Sequence, residues 1–295
     1  MEAMLLPRKL GAVVALIAIG LLASIELAWP ARDVYWGGLS FTLSGRMLLG
    51  LIVVGLAWTG ADVVVQQHRK VHAERPGLPF SHSILPAALT AAAWVLLAQP
   101  DSIRVKIVGV VAASGLLAFL IIAECSVGDL TERWRAVAQL CLRLITYWVA
   151  TLLYTAIHLS TSEDLPATIA VVAASVILGV KLLSDDGSLP HRIPAPDAEE
   201  QGVAAEMPGR RFASILLRHN WLCGVGAGVL LGVISGLLNH WVASPLIHSL
   251  GLVVLLYVLV GIVRHFLLGT LTQQVALEYL FVGVLVVLLL LPFAR

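Results

Sequence analysis

Charged residues are scarce in this chain, and almost none lies near the middle of a long apolar run. Asp, Glu, Lys and Arg make up 13% of its 295 residues, and the hydrophobic share is 59%. Soluble domains carry about 25% charged residues. This balance predicts an integral membrane protein. The missing mid-run charges disfavour a path for protons or ions, because such paths usually need carboxylates or histidines near the midplane.

Cysteine is also rare, since the chain holds only Cys125, Cys141 and Cys223. The three thiols fall at the ends of separate apolar runs and lack the close spacing of metal ligands. We interpret them as small packing residues and predict no structural disulfide and no metal site. No catalytic or cofactor motif stands out elsewhere in the sequence, so we predict no catalytic residues and no cofactor.

Nine apolar runs fill the chain. A helix needs about 20 residues to cross about 30 Å of hydrocarbon. The runs are Leu10–Trp29, Met47–Val65, Ser83–Ala98, Ile103–Ala123, Val137–His158, Leu165–Leu183, Trp221–Leu238, Leu246–Val263 and Val275–Phe293. The sequence therefore predicts an all-α, polytopic transmembrane bundle of about nine spans. The third run is the shortest, and a count of eight would require it to be re-entrant.

The distribution of basic residues orients these runs. If the N-terminus is cytoplasmic, 13 of the 19 Lys and Arg residues fall in cytoplasmic segments, 5 fall outside, and Arg143 lies within a run. Cytoplasmic loops carry the excess of Lys and Arg in membrane proteins. We therefore predict a cytoplasmic N-terminus, an external C-terminus and a location in the cell (plasma or inner) membrane.

One long polar interruption divides the chain into two transmembrane regions. Residues 184–211 are rich in proline and in acidic side chains, a composition that cannot bury a core. We predict a disordered cytoplasmic linker there. It separates a six-span region, 1–183, from a three-span region, 212–295.

The sharpest local pattern is a glycine ridge in the seventh run, formed by Gly224, Gly228, Gly232 and Gly236. Four glycines at a spacing of four residues lie along one side of a helix. Small residues let a second helix approach closely enough for backbone contact. The sequence leaves open whether that helix belongs to this chain, to a second copy or to another subunit.

Four charged residues are predicted to lie near the cytoplasmic ends of their runs: Asp62, Glu124, Arg143 and Glu278. They could form a polar pocket in which Arg143 binds an anion and a carboxylate serves as a base or binds a cation. They could also be ion pairs between helices and ordinary boundary residues, because charges near the membrane edge can reach water. We favour the second interpretation.

Several polar residues mark the opposite ends of the runs: Glu26, His158, Asn239, His240 and His248. An imidazole at such a position could bind haem, a pigment or a metal. None of these residues shows the i, i+4 spacing of a helical metal motif. Interfacial hydrogen bonding is the interpretation we favour.

Two segments resemble a known group of proteins. Residues Ser83-Ile-Leu-Pro-Ala-Ala-Leu89 and Ile121-Ile-Ala-Glu-Cys-Ser-Val-Gly-Asp129 are similar to an uncharacterised family of bacterial multi-pass membrane proteins without an assigned function. The similarity covers the first six runs. It implies a bacterial inner-membrane location and supplies no catalytic residues.

Three functions are compatible with this sequence. The first is a non-catalytic accessory or scaffold component of a membrane complex, packed through small-residue faces. The second is a transporter or flippase for a lipophilic or amphipathic substrate, and the third is a membrane enzyme acting on lipid-linked substrates. The expected partners are membrane lipids and other membrane subunits or a second copy, with no nucleic acid.

Overall fold

The computed structural model describes residues 5–27, 32–36, 39–43, 45–66, 81–127, 132–161, 164–184, 220–238, 244–290 and 292. Each of the nine apolar runs forms an α-helix, which confirms the helical prediction. The helices are α1 (Leu5–Glu26), α2 (Gly45–Gln66), α3 (Ser81–Leu97), α4 (Ile103–Val127), α5 (Glu132–Ser160), α6 (Asp164–Ser184), α7 (Asn220–Leu238), α8 (Pro245–Leu267) and α9 (Gln273–Leu290).

Six of these helices, α1, α2, α4, α5, α6 and α8, are long and apolar enough to cross a membrane. The apolar stretches of α3, α7 and α9 are shorter. The count of nine spans and their orientation therefore stay predictions. The predicted linker lies outside the described residues, apart from Ser184 at the end of α6.

A short β-hairpin between α1 and α2 is an exception to the all-α prediction. Strands β1 (Arg32–Trp36) and β2 (Leu39–Leu43) pair antiparallel, with Trp36 opposite Leu39. The sequence between the strands is Gly-Gly, a dipeptide that tight hairpin turns favour. The sequence analysis did not predict this hairpin, because its two strands are only five residues long and lie between two long apolar runs.

The chain forms two compact units, Met1–Ser162 and Glu163–Arg295. The boundary lies one helix before the predicted linker, so α6 groups with the three C-terminal helices rather than with the first five. The physical reason is the close packing of α6 against α7. Among the described residues, the first unit contains five helices and the second four. The division into six-span and three-span transmembrane regions stays a prediction.

In the first unit, α3 lies at the centre and packs against α2, α4 and α5. Every residue from Ser83 to Thr90 is buried. Two of these residues, Ala87 and Ala88, are alanines, whose small side chains allow neighbouring helices to approach. Pro86 lies inside the helix and cannot donate a hydrogen bond to the carbonyl of His82. The hydroxyl of Thr90 donates to the Pro86 carbonyl at 2.8 Å.

Small residues set the register between helices of the first unit. A Cβ on Gly20 would lie 2.7 Å from Val53 Cγ2, and one on Gly60 would lie 2.6 Å from Val13 Cγ1, so α1 and α2 run antiparallel. Gly50 of α2 seats the indole of Trp94 on α3. One turn further along α3, Leu97 packs against Gly109 of α4.

In the second unit, α8 and α9 form a tight antiparallel hairpin. Gly269 adopts a positive φ of 66°, and its N–H donates to the Phe266 carbonyl at 3.1 Å while that of Thr270 donates to the His265 carbonyl at 3.0 Å. These two bonds form the Schellman motif that ends many helices. The hydroxyl of Thr272 then accepts from Val275 N–H at 3.3 Å and caps α9.

Candidate functional site

A buried contact in the first unit joins His82 of α3 to Glu124 of α4. The His82 Nδ1 atom lies 3.2 Å from Glu124 Oε2, and the two side chains are 13% and 1% exposed. A carboxylate taken out of water at this depth needs a partner, because an isolated charge in an apolar interior is costly. A protonated imidazole makes this contact a salt bridge, and a neutral one donates through Nδ1–H.

The antiparallel packing of α2 and α3 brings Asp62 to the level of the His82–Glu124 pair. Gly50 contacts Trp94, and α2 and α3 run in opposite directions. Counting 12 residues from each contact residue, about 18 Å of helix, reaches Asp62 on α2 and His82 on α3. The half-buried Asp62 and the His82–Glu124 pair therefore lie near one end of the unit.

The other two residues of the predicted polar cluster are Arg143, also in the first unit, and Glu278, in the second. Arg143 is half-buried on α5, 11 residues or about 16 Å after Glu132, where that helix begins. Glu124 is only three residues from the end of α4 at Val127. Glu278 is exposed on α9 and belongs to the second unit. Asp62 and Glu124 thus lie near one end of the first unit, and the four-residue polar cluster stays a prediction.

The opposite end of the first unit has its own ion pair. Lys106 Nζ of α4 donates to Glu26 Oε1 of α1 at 2.8 Å. Arg46 Nη2 donates to the Ile25 carbonyl at 3.0 Å, where a cation also compensates the dipole at the end of α1. Glu26 therefore joins helices α1 and α4.

The histidines considered as ligands fall in different parts of the molecule. His158 lies in the first unit and His248 in the second, whereas Asn239 and His240 lie outside the described residues. Among the residues that the structure describes, no group of three or more His, Cys, Asp or Glu side chains could hold a metal ion.

The glycine ridge of α7 packs against α6 of the same chain. A Cβ on Gly228 would lie 2.6 Å from the backbone N of Val176, and one on Gly224 would lie 2.9 Å from that of Val180. The side chains met by the four glycines, in order, are Val180, Val176, Val172 and Thr168. These residues also recur every four positions. The matching stripe in run six was the sequence signal that would have identified the partner helix.

Helix α9 has two seams of side chains, and one of them is covered by α8. Tyr279 of the covered seam packs over Gly261, with its ring 5.5 Å from that of Tyr257. Gly283 lies against Val258 in the same seam. Among the α9 residues whose exposure is described, Gly283 alone is buried. This helix therefore makes contact on one side and leaves its other sides open.

The second seam of α9 is exposed along its whole length. We call Gln274, Glu278, Phe281, Leu285 and Leu288 the exposed seam, because all five are exposed. Their spacing of 4, 3, 4 and 3 residues is the heptad spacing by which two helices interlock. An open hollow beside the first turns is lined by Thr272, Gln273, Gln274, Leu277, Glu278 and Phe281.

Two functional features were missed from the sequence. His82 lies just before the third apolar run and was not among the predicted site residues, although it is a partner of Glu124. The exposed seam was not predicted, because run nine is apolar on nearly every side and its hydrophobicity does not distinguish one seam from another. In both cases the residues are visible in the sequence, but their neighbours, or lack of neighbours, depend on how helices pack.

Comparison with known proteins identifies one family. No curated protein and no solved structure matches the chain. The family described as "Protein of unknown function (DUF5656)" matches residues 25–193 and 211–292, which is well over half of the sequence and extends past the six runs of the earlier resemblance. An uncharacterised family is thus confirmed, while the bacterial inner-membrane location stays a prediction. This chain belongs to the DUF5656 family.

Proposed function

We propose that this protein is a non-catalytic accessory or scaffold component of a membrane complex. The observation that supports the proposal is the exposed seam of α9. A seam with heptad spacing is suited to packing against another helix. Its polar member within the ninth apolar run, Glu278, is poorly suited to lipid.

The glycine ridge does not contribute to this proposal. Its close contacts are made with α6, so that surface is already used within the chain. A partner has to bind elsewhere. Helix α9 is the best candidate because α8 covers one of its seams and, among its residues whose exposure is described, Gly283 alone is buried.

The proposal is tested by the mass of the protein in native membranes. The membranes are extracted with a copolymer that retains surrounding lipid, and the particles are separated on a native gel. We expect a particle with more protein than one 31.5 kDa chain. The double variant Phe281→Ala/Leu285→Ala should release the single chain, because it removes two large side chains from the exposed seam.

The matched control is Leu280→Ala/Val284→Ala, which truncates two exposed residues on another side of α9. It should leave the larger particle intact. A wild-type protein that is recovered as a single chain would contradict the proposal. So would a larger particle that survives the seam variant unchanged.

A transporter or flippase for a lipophilic or amphipathic substrate is the second candidate. The observation that favours it is the His82–Glu124 pair, because ionisable groups buried in a membrane bundle often serve transport. This candidate requires that Glu124 be needed for movement of a substrate and not only for folding.

A further inference from the structure

The exposed seam of α9 carries one negative charge and no positive one. Glu278 makes no hydrogen bond or ion pair with any residue that the structure describes. The side chains three and four positions away are Gln274, Val275, Phe281 and Val282, none of which is basic. An ion pair along the helix, which forms at these spacings, is therefore excluded.

In the predicted membrane, the carboxylate of Glu278 either reaches water at the membrane edge or pairs with an opposite charge. Glu278 lies five residues after Gln273, or about 8 Å along the axis, and Phe281 on the next turn is 67% exposed. In the predicted membrane, that turn faces lipid or another helix. Charged side chains within membrane helices almost always face a protein interior or pair with an opposite charge.

We propose that α9 docks through its exposed seam against a membrane helix of another protein, which presents a Lys or Arg side chain at the level of Glu278. This inference rests on the proposed function and names the chemistry of its partner. Phe281, Leu285 and Leu288 supply the apolar contacts of the seam. Glu278 supplies specificity, because the ion pair forms only with a partner that has a cation at this level and only in one register of the two helices.

A second copy of this chain fits the seam poorly. Two copies in one membrane have the same orientation, so a symmetric pair of α9 helices would run parallel. Symmetric packing of a heptad seam places each residue near its own counterpart. Glu278 would then face Glu278 of the second copy, and like charges at close range repel.

The test is site-specific photocrosslinking in native membranes of the full-length protein. A benzophenone amino acid replaces Phe281 in one variant and Leu280, an exposed residue away from the seam, in the control. We expect the Phe281 position to form an adduct with a different protein, and the Leu280 position to form little of it. Mass spectrometry of the adduct should find a Lys or Arg within an apolar run, about one turn from the attachment site.

The charge is tested by adding Glu278→Lys or Glu278→Asp to the Phe281 crosslinking variant. We expect Glu278→Lys to lower the adduct yield by about tenfold or more and Glu278→Asp to retain most of it. Equal melting temperatures of the two variants in detergent would show that the fold is retained. If Glu278→Lys unfolds the chain, Glu278→Gln replaces it and should also lower the yield.

Three outcomes would overturn the inference. They are an adduct of two identical chains, a crosslink within one chain, and a heterologous adduct whose yield does not depend on residue 278. The native-gel mass separates these failures from failure of the proposed function. A large particle with a charge-independent adduct would leave the accessory role standing and remove only the cationic partner.

Discussion

At the residue scale, two pairs of polar side chains in the first unit link neighbouring helices. Glu26 is tied to Lys106 at one end, and Glu124 is tied to His82 near the other. The two pairs differ in burial, since Glu26 is 41% exposed and Glu124 is 1% exposed. An exposed pair contributes little to stability. Removing one partner of a buried pair leaves an uncompensated group, which costs much more.

Glu124→Ala should therefore lower the free energy of unfolding by about 3 kcal/mol, measured by denaturant unfolding in detergent. Glu26→Ala, the matched exposed carboxylate, should lower it by less than about 1 kcal/mol. The double variant His82→Ala/Glu124→Ala should cost less than the sum of its two single variants, because the two residues share one contact. Equal effects of Glu124→Ala and Glu26→Ala on the free energy of unfolding would contradict this structural role.

The variant Glu124→Gln tests the transporter alternative. Normal stability of this variant together with loss of lipid movement in reconstituted vesicles would favour a transporter.

At the element scale, glycines determine which helices touch. The ridge of α7 brings its backbone against that of α6, and single glycines seat Trp94, Leu97 and Tyr279 in other pairs. Hydrophobic side chains alone do not select a partner helix in lipid, because lipid tails are as apolar as leucine. Shape therefore selects the partner. The seventh run needs a neighbour with a matching stripe, and the sixth run provides it.

Gly228→Ala should lower stability by about 1–3 kcal/mol, because its Cβ would lie 2.6 Å from the backbone N of Val176 and the helices must separate. Gly226→Ala is the control, since nothing lies within 4 Å of a Cβ at that position. It should be neutral or slightly stabilising. Denaturant unfolding in detergent measures the stability of both variants, and equal effects would contradict the packing.

At Gly232 the nearest atom to an added Cβ is the Cγ2 of Val172. The substitution Val172→Ala should therefore restore the stability that Gly232→Ala loses.

At the scale of the whole molecule, helix length and charge placement decide the relation to the membrane. Six helices are long enough to cross, whereas the apolar stretch of α3 covers His82–Leu97 only. The burial of α3 on several sides accounts for its modest length and its many alanines, since a helix surrounded by protein needs little contact with lipid. The orientation still depends on the count of Lys and Arg in the loops.

Reporter fusions test this topology. Alkaline phosphatase, which is active only outside the cytoplasm, should be active after Asp101 and after Arg295. Green fluorescent protein should fluoresce when fused within the 184–211 segment. Fusion after Asp101 tests α3 directly, because a re-entrant third run would leave that site in the cytoplasm and the phosphatase inactive. A site after Gln66 serves as the cytoplasmic control.

The sequence by itself determined the nine helices that the structure describes, because an apolar run of this length with almost no charge forms a helix in a membrane whatever its neighbours are. It also determined the α8–α9 hairpin, since Gly269 and Thr272 specify their caps locally. Only the tertiary structure decided that the glycine ridge meets α6, that His82 pairs with Glu124 and that one seam of α9 stays exposed. These features depend on which surfaces fit together. Hydrophobicity does not predict which surfaces pack together, because the nine runs are similarly apolar and their helices differ mainly in surface shape.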